Sequence, residues 1–208
     1  MTFIPILTLF LLLPTMGVRA DEAIDEATPA RAIANLTDPK KLATLKGERA
    51  SNPRFQKCLY WIEVEQRKKG GMDVQQLIKR SLELNGAKDA YGEAIYWSLV
   101  VAHREANDMG LFTPEGMNEL RQGKSATITK GEYAGQEATA DYYIPRSVCP
   151  ELDNQIFNLR LLPSKLISSK GDMVDEKQVA GAESFHKNGL LSDKGLEAVR
   201  KAYEKEPK

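Results

Sequence analysis

The chain has 208 residues, with 29 basic and 29 acidic side chains and only two histidines, so its formal charge at neutral pH is zero. That balance gives no overall pull towards nucleic acid or an anionic membrane surface. With 42% hydrophobic and 28% charged residues, the composition excludes a wholly disordered chain, and the length suits one domain or a helical layer with a small module.

Residues 3–16 are almost unbroken apolar sequence, and Val18-Arg19-Ala20 places small side chains just before Asp21. The run is short for a bilayer span and acidic residues follow it at once. That is the pattern of a secretory signal peptide over residues 1–20. It predicts a secreted or periplasmic protein with no stable membrane association once the segment is removed. An uncleaved anchor is the competing reading. Removal takes Arg19 and no acid, leaving 28 basic against 29 acidic residues and a net charge of −1.

Residues 21–37 are rich in Ala, Asp and Glu without apolar periodicity and read as a flexible leader. A helical region follows over 38–123. Leu42 and Leu45 open one apolar face, continued by Phe55, Leu59 and Ile62, with Gly70-Gly71 ending that element. Asp73 is placed to cap a helix bearing Val74, Leu77, Ile78 and Leu82, which stops at Asn85-Gly86. Ala90 to Asn107 predicts a long helix with Ile95, Trp97, Leu99, Val100 and Val101 mostly inward. Thr113-Pro114 starts a shorter one ending near Gly123. From Asp38 to Lys69 nine basic residues stand against four acids. A solvated helical face explains that excess more simply than a phosphate-binding surface does.

The pattern then changes. Ala126–Thr129 and Glu137–Ile144 alternate in the manner of short strands around turns at Gly131 and Gly135. Helical character returns after Pro163, with closing helices over 176–186 and 192–203. The predicted class is mainly α with a small β insertion, organised as 38–123 helical, 124–172 a β-containing module, and 173–208 helices packing on the same unit. Cys58 and Cys149 are the only cysteines; a disulfide between them and two buried free thiols both fit an exported chain. No Ser-His-Asp order and no metal-spaced Cys/His cluster is visible. Gly123-Lys124-Ser125 lacks the earlier glycine of a P-loop.

The most informative stretch is Asp141-Tyr142-Tyr143-Ile144-Pro145-Arg146-Ser147, then Pro150-Glu151-Leu152-Asp153-Asn154, then Asn158-Leu159-Arg160-Leu161-Leu162-Pro163. Strand, turn-rich loop, short strand and helix start follow one another. This layout resembles the HNH (ββα-metal, His-Me finger) endonucleases, with the likeness running over residues 124–172. The resemblance implies a divalent cation, Mg²⁺, Mn²⁺, Ni²⁺ or Zn²⁺, that polarises a phosphodiester while a histidine activates water. By position, Asp141 matches the metal ligand and Asn158 the residue that orients the base. Arg146 and Lys170 match basic positions that hold phosphate. Tyr142 stands where the general-base histidine belongs, and Ile167 where the helix would carry Asn or His. A phenol is a poor base near neutrality and an isoleucine binds no metal, so Asp153 and Asp172 are the nearest replacement carboxylates.

The expectation is an exported HNH endonuclease-like protein with impaired or lost phosphodiesterase activity and a residual role in binding nucleic acid or protein. Two alternatives stand beside it. One is an active metal-dependent nuclease using Tyr142, or His103 brought in from the long helix, as its base. The other is a helical exported interaction protein whose likeness to the nucleases is accidental.

Overall fold

The computed structural model describes residues 28–205. The predicted signal segment and the first part of the leader lie outside the described residues. The architecture is mainly helical with one small antiparallel sheet, as expected.

The leader expectation fails within the described part. Residues Pro29–Leu36 form helix α1, with Pro29 at its first turn and the Thr28 hydroxyl accepting from the Arg31 N–H at 3.4 Å. Its inward residues Ala30, Ile33 and Ala34 lie at i, i+3 and i+4, and Ile33 is fully buried. These residues share one face, and docking of that face against the later helices holds so short a helix in place.

A single turn, α2 (Pro39–Leu42), is capped by Asp38. Helix α3 (Asn52–Gln66) buries Phe55, Cys58, Leu59 and Ile62 completely. Helix α4 (Val74–Asn85) starts at Asp73, whose carboxylate accepts from the Gln76 N–H at 2.8 Å, and ends at Gly86 with φ +80°. A left-handed residue there suits glycine. These helices and α1 pack mutually around Leu77 and Ile78.

Helix α5 (Ala90–Asp108) is the long central element. Ile95, Leu99, Ala102 and Ala106 form its buried stripe, spaced 4, 3 and 4 residues apart as one helical face requires. Trp97 lies about 200° around the helix from Ile95 at 100° per residue and is 53% exposed, contrary to the inward placement expected of it. Helix α6 (Pro114–Gln122) is capped by Thr113 and closed by Gly123 at φ +79°.

The sheet follows in the order β1 (Ala126–Thr127), β2 (Glu137–Tyr142), β3 (Leu159–Pro163), antiparallel throughout. Asp141 pairs with Arg160 and Tyr142 with Leu159 across β2 and β3. Strand β1 packs on α6, β2 touches α3 and β3 lies on α5, so helices cover both edges of the sheet. The 16 residues from Tyr143 to Asn158 form the loop between the long strands, including two 3₁₀ turns. Helix α7 (Ser164–Lys170) follows β3 directly and packs back on both strands. Helices α8 (Glu176–Lys187), opened by a capping box between Asp175 and Gln178, and α9 (Asp193–Glu204), capped by Ser192, form the closing hairpin. Among the described residues no helix is long and apolar enough to cross a membrane.

Candidate functional site

The β2–loop–β3–α7 hairpin brings Asp141, Tyr142, Arg146, Ile167, Lys170 and Asp172 around one cavity of about 310 Å³. Five of these were singled out by position in the sequence, and Asp172 as a replacement carboxylate. Two further contributors were not: Glu48 and Arg49, from the segment before α3, line the same cavity.

That segment is tied onto the β module as a strap. The Tyr142 hydroxyl accepts from the Arg49 backbone N–H at 3.0 Å, and Asn52 Nδ2 donates to the Ala140 carbonyl at 2.8 Å. Asn154 closes the strap from the other side. Its Oδ1 accepts from the Ser51 N–H and its Nδ2 donates to the Gly47 carbonyl, each at 3.0 Å. Arg49 and Asn154 both hold left-handed backbone, at φ +57° and +59°. Asparagine tolerates that region, whereas an arginine there carries a strain of about 1 kcal/mol or more. The strap's four hydrogen bonds maintain it and aim the guanidinium inward.

The result is a carboxylate enclosed by cations. Asp141 is 7% exposed. Arg49 Nη2 lies 3.7 Å from its Oδ1, and Lys170 Nζ lies 3.6 Å from its Oδ2. Lys170 also donates to the Tyr142 carbonyl at 2.6 Å and more weakly to that of Tyr143 at 3.5 Å. Burial pulls the Lys170 ammonium below the usual lysine range, against the raising influence of Asp141.

Tyr142 is equally committed. Its hydroxyl donates to Asp153 Oδ1 at 2.5 Å. Burial, and then the Asp153 carboxylate, push its phenol up to about 12. A base protonated so far above neutrality is ineffective in water activation. Subtracting the phenolate absorbance titration of a Tyr142→Phe variant from that of the wild type should leave one phenol ionising at about 12. An ordinary midpoint near 10 would show that the hydroxyl is free.

Asn158 is fully buried. Its Oδ1 accepts from the Ile144 N–H at 2.9 Å, and its Nδ2 donates to the carbonyls of Ile144 at 3.0 Å and Leu152 at 3.4 Å. Its amide is spent on closing the long loop and orients no catalytic side chain. Arg146 pairs with Glu48, with Asp153 at 4.0 Å from its other nitrogen. Its guanidinium thus faces carboxylates, not an open anion site.

One alternative needs correction, and one open pair of readings is decided. His103 does not reach this site. Its Nε2 meets Glu63 Oε2 at 3.2 Å and its ring stacks on Phe112, centroids 5.0 Å apart. The α5 face that carries it turns towards α3, so it supplies no base to Asp141. Cys58 and Cys149 form no disulfide; both are buried free thiols. Cys58 sits in the α3 core and Cys149 in the long loop beside Glu151. Burial raises both thiols, Cys149 to about 11, so neither is a reactive thiolate near neutrality.

Among the described residues no group of three or more His, Cys, Asp or Glu is arranged to hold a metal ion. The donor set at Asp141 does not fit a divalent cation either. Glu48 and Asp172 line the same cavity without joining Asp141 in a metal-holding group, and both Asp141 oxygens already face positive side chains.

No family model, curated protein or solved structure matches the chain. The fold defines a mainly helical protein with a three-stranded antiparallel sheet, whose candidate site is a cation-enclosed carboxylate.

Proposed function

We propose that this chain is an exported HNH endonuclease-like protein that has lost its phosphodiesterase chemistry and keeps a role in binding nucleic acid or protein. One observation carries the reading: the Asp141 carboxylate lies between Arg49 and Lys170. Two single positive charges stand where the resemblance would put one divalent cation, so the carboxylate is compensated without metal. The antiparallel hairpin with its long loop and following helix supports the ancestry, and the apolar run at residues 3–16 supports export. Tyr142, locked to Asp153, supports the loss of the base.

The test is plasmid cleavage by residues 21–208 over Mg²⁺, Mn²⁺, Ni²⁺ and Zn²⁺. The natural sequence should leave the plasmid intact with every metal. Cleavage that disappears in Asp141→Ala would establish a live nuclease and overturn the reading. A Tyr142→His, Ile167→Asn variant should stay weak, because the Lys170 ammonium still repels a cation at Asp141. Adding Lys170→Gln should restore metal-dependent cleavage. Silence from that triple variant would remove the support for nuclease ancestry.

A further inference from the structure

A second cavity, of about 380 Å³, opens between α5 and the α8–α9 hairpin. That size falls within the range of small-molecule sites. Its wall carries Trp97, Tyr143, Phe157 and Phe185, together with the carboxylates of Glu93 and Glu105. The rings are set by mutual contact. Phe157 and Phe185 meet at 68° with centroids 5.0 Å apart, and Tyr143 meets Phe185 at 83° and 6.4 Å. Trp97, the most exposed large apolar side chain among the described residues, is anchored by its indole N–H, which donates to Glu93 Oε1 at 2.9 Å.

Two features point to the charge of the ligand. The Arg160 guanidinium lies 3.8 Å from the Tyr143 ring centroid, so this wall already holds one cation by a π face. Glu105 accepts from the Leu161 N–H, yet its Oε2 is buried with no hydrogen-bond partner, and burial raises its pKa. A buried carboxylate oxygen without a donor is costly, and a cation held nearby offsets its charge. Two carboxylates against one guanidinium leave the wall net negative when all are ionised. An anion would be repelled, and a neutral hydrocarbon would leave the Glu105 Oε2 without a partner.

We infer that this cavity binds a small organic cation, an alkylated ammonium group on an apolar body. The π faces and Glu105 would share the charge, and Trp97 would close over the apolar part. The site stands apart from Asp141 and does not rest on the nuclease-derived reading.

Benzyltrimethylammonium titrated calorimetrically into residues 21–208 provides the test, with benzyl alcohol and phenylacetate as neutral and anionic probes. Trp97 quenching in a Trp61→Phe background gives a second readout. The cation should bind at least about tenfold tighter than either other probe. Glu105→Gln and Trp97→Leu should each weaken it by about tenfold while thermal unfolding stays cooperative. Equal or tighter binding of benzyl alcohol or phenylacetate would overturn the proposal. So would no binding of the cation at millimolar concentration, or unchanged affinity in both folded variants.

Discussion

Replacing Asn158 with Leu should lower the free energy of unfolding by about 3–5 kcal/mol, a loss in the exceptional range for a single substitution. The side chain is fully buried and nearly isosteric with leucine, so little of the effect comes from volume. What is lost is a set of three hydrogen bonds. The N–H and C=O of Ile144 would be left without this partner, and the Leu152 carbonyl would keep only the Gln155 N–H at 3.4 Å. Each unpaired buried group costs about 1–3 kcal/mol, and partial rearrangement keeps the total below the simple sum. Asn158→Asp should be similarly damaging, because it removes both donated bonds and buries a charge. Urea unfolding of the three proteins measures the difference. The variants should also be cut faster by protease within residues 143–158, since the amide holds that loop across its base. A loss below about 1 kcal/mol would mean that Asn158 is not the clasp described.

Asp141→Ala carries the second large effect, and it is an effect on stability. Removing the carboxylate leaves the half-buried Lys170 ammonium and the Arg49 guanidinium facing each other uncompensated, at a cost of about 2–3 kcal/mol. Lys170→Ala should cost less, because Arg49 still neutralises Asp141. The double variant should be more stable than the two single losses predict, by about 1–2 kcal/mol of coupling. Additive losses would show that the pair is a proximity without energetic weight.

The titration of Lys170 gives an independent readout. Its folded pKa is already below the ordinary 10.5, so the unfolded chain binds that proton more tightly. Its contribution to stability is therefore least favourable near neutrality and improves as pH rises from the folded pKa towards 10.5. Losing Asp141 removes the main influence that raises the pKa and leaves only the smaller one of Asp175, so in Asp141→Ala the ammonium should titrate lower still. NMR of the labelled lysine ε-carbon follows this directly, and an unchanged midpoint would separate Lys170 from Asp141.

Much of the fold was legible because its signals are local. The apolar faces of α3, α4 and α5 follow the 3.6-residue period, and Asp73, Thr113 and Ser192 mark helix starts by short-range hydrogen bonds. Glycines 86 and 123 mark ends through backbone conformations that suit them. Where the local signal was weak, the reading failed. Helix α1 spans only eight residues, too short to stand without its docking site. Trp97 was placed inward on hydrophobicity alone, although its angle on α5 points away from Ile95 and Leu99.

The candidate site divides in the same way. The sequence by itself determined which residue types occupy the strand–loop–strand–helix segment, with a phenol at position 142 and an isoleucine at position 167. It also determined that Asp141 lacks neighbouring histidines in the chain. Only the tertiary structure decided what balances that carboxylate. Arg49 lies 92 residues earlier in the chain, and its part depends on a strap held by Tyr142, Asn52 and Asn154. Likewise, the separation of Cys58 from Cys149 and the turning of His103 towards Glu63 depend on how helices cross, which no short window encodes. Hydrogen-bonded caps and periodic faces act over a few residues, whereas charge compensation is set by distances in space. Chemistry of the first kind can therefore be read along a chain, and chemistry of the second kind waits for the fold.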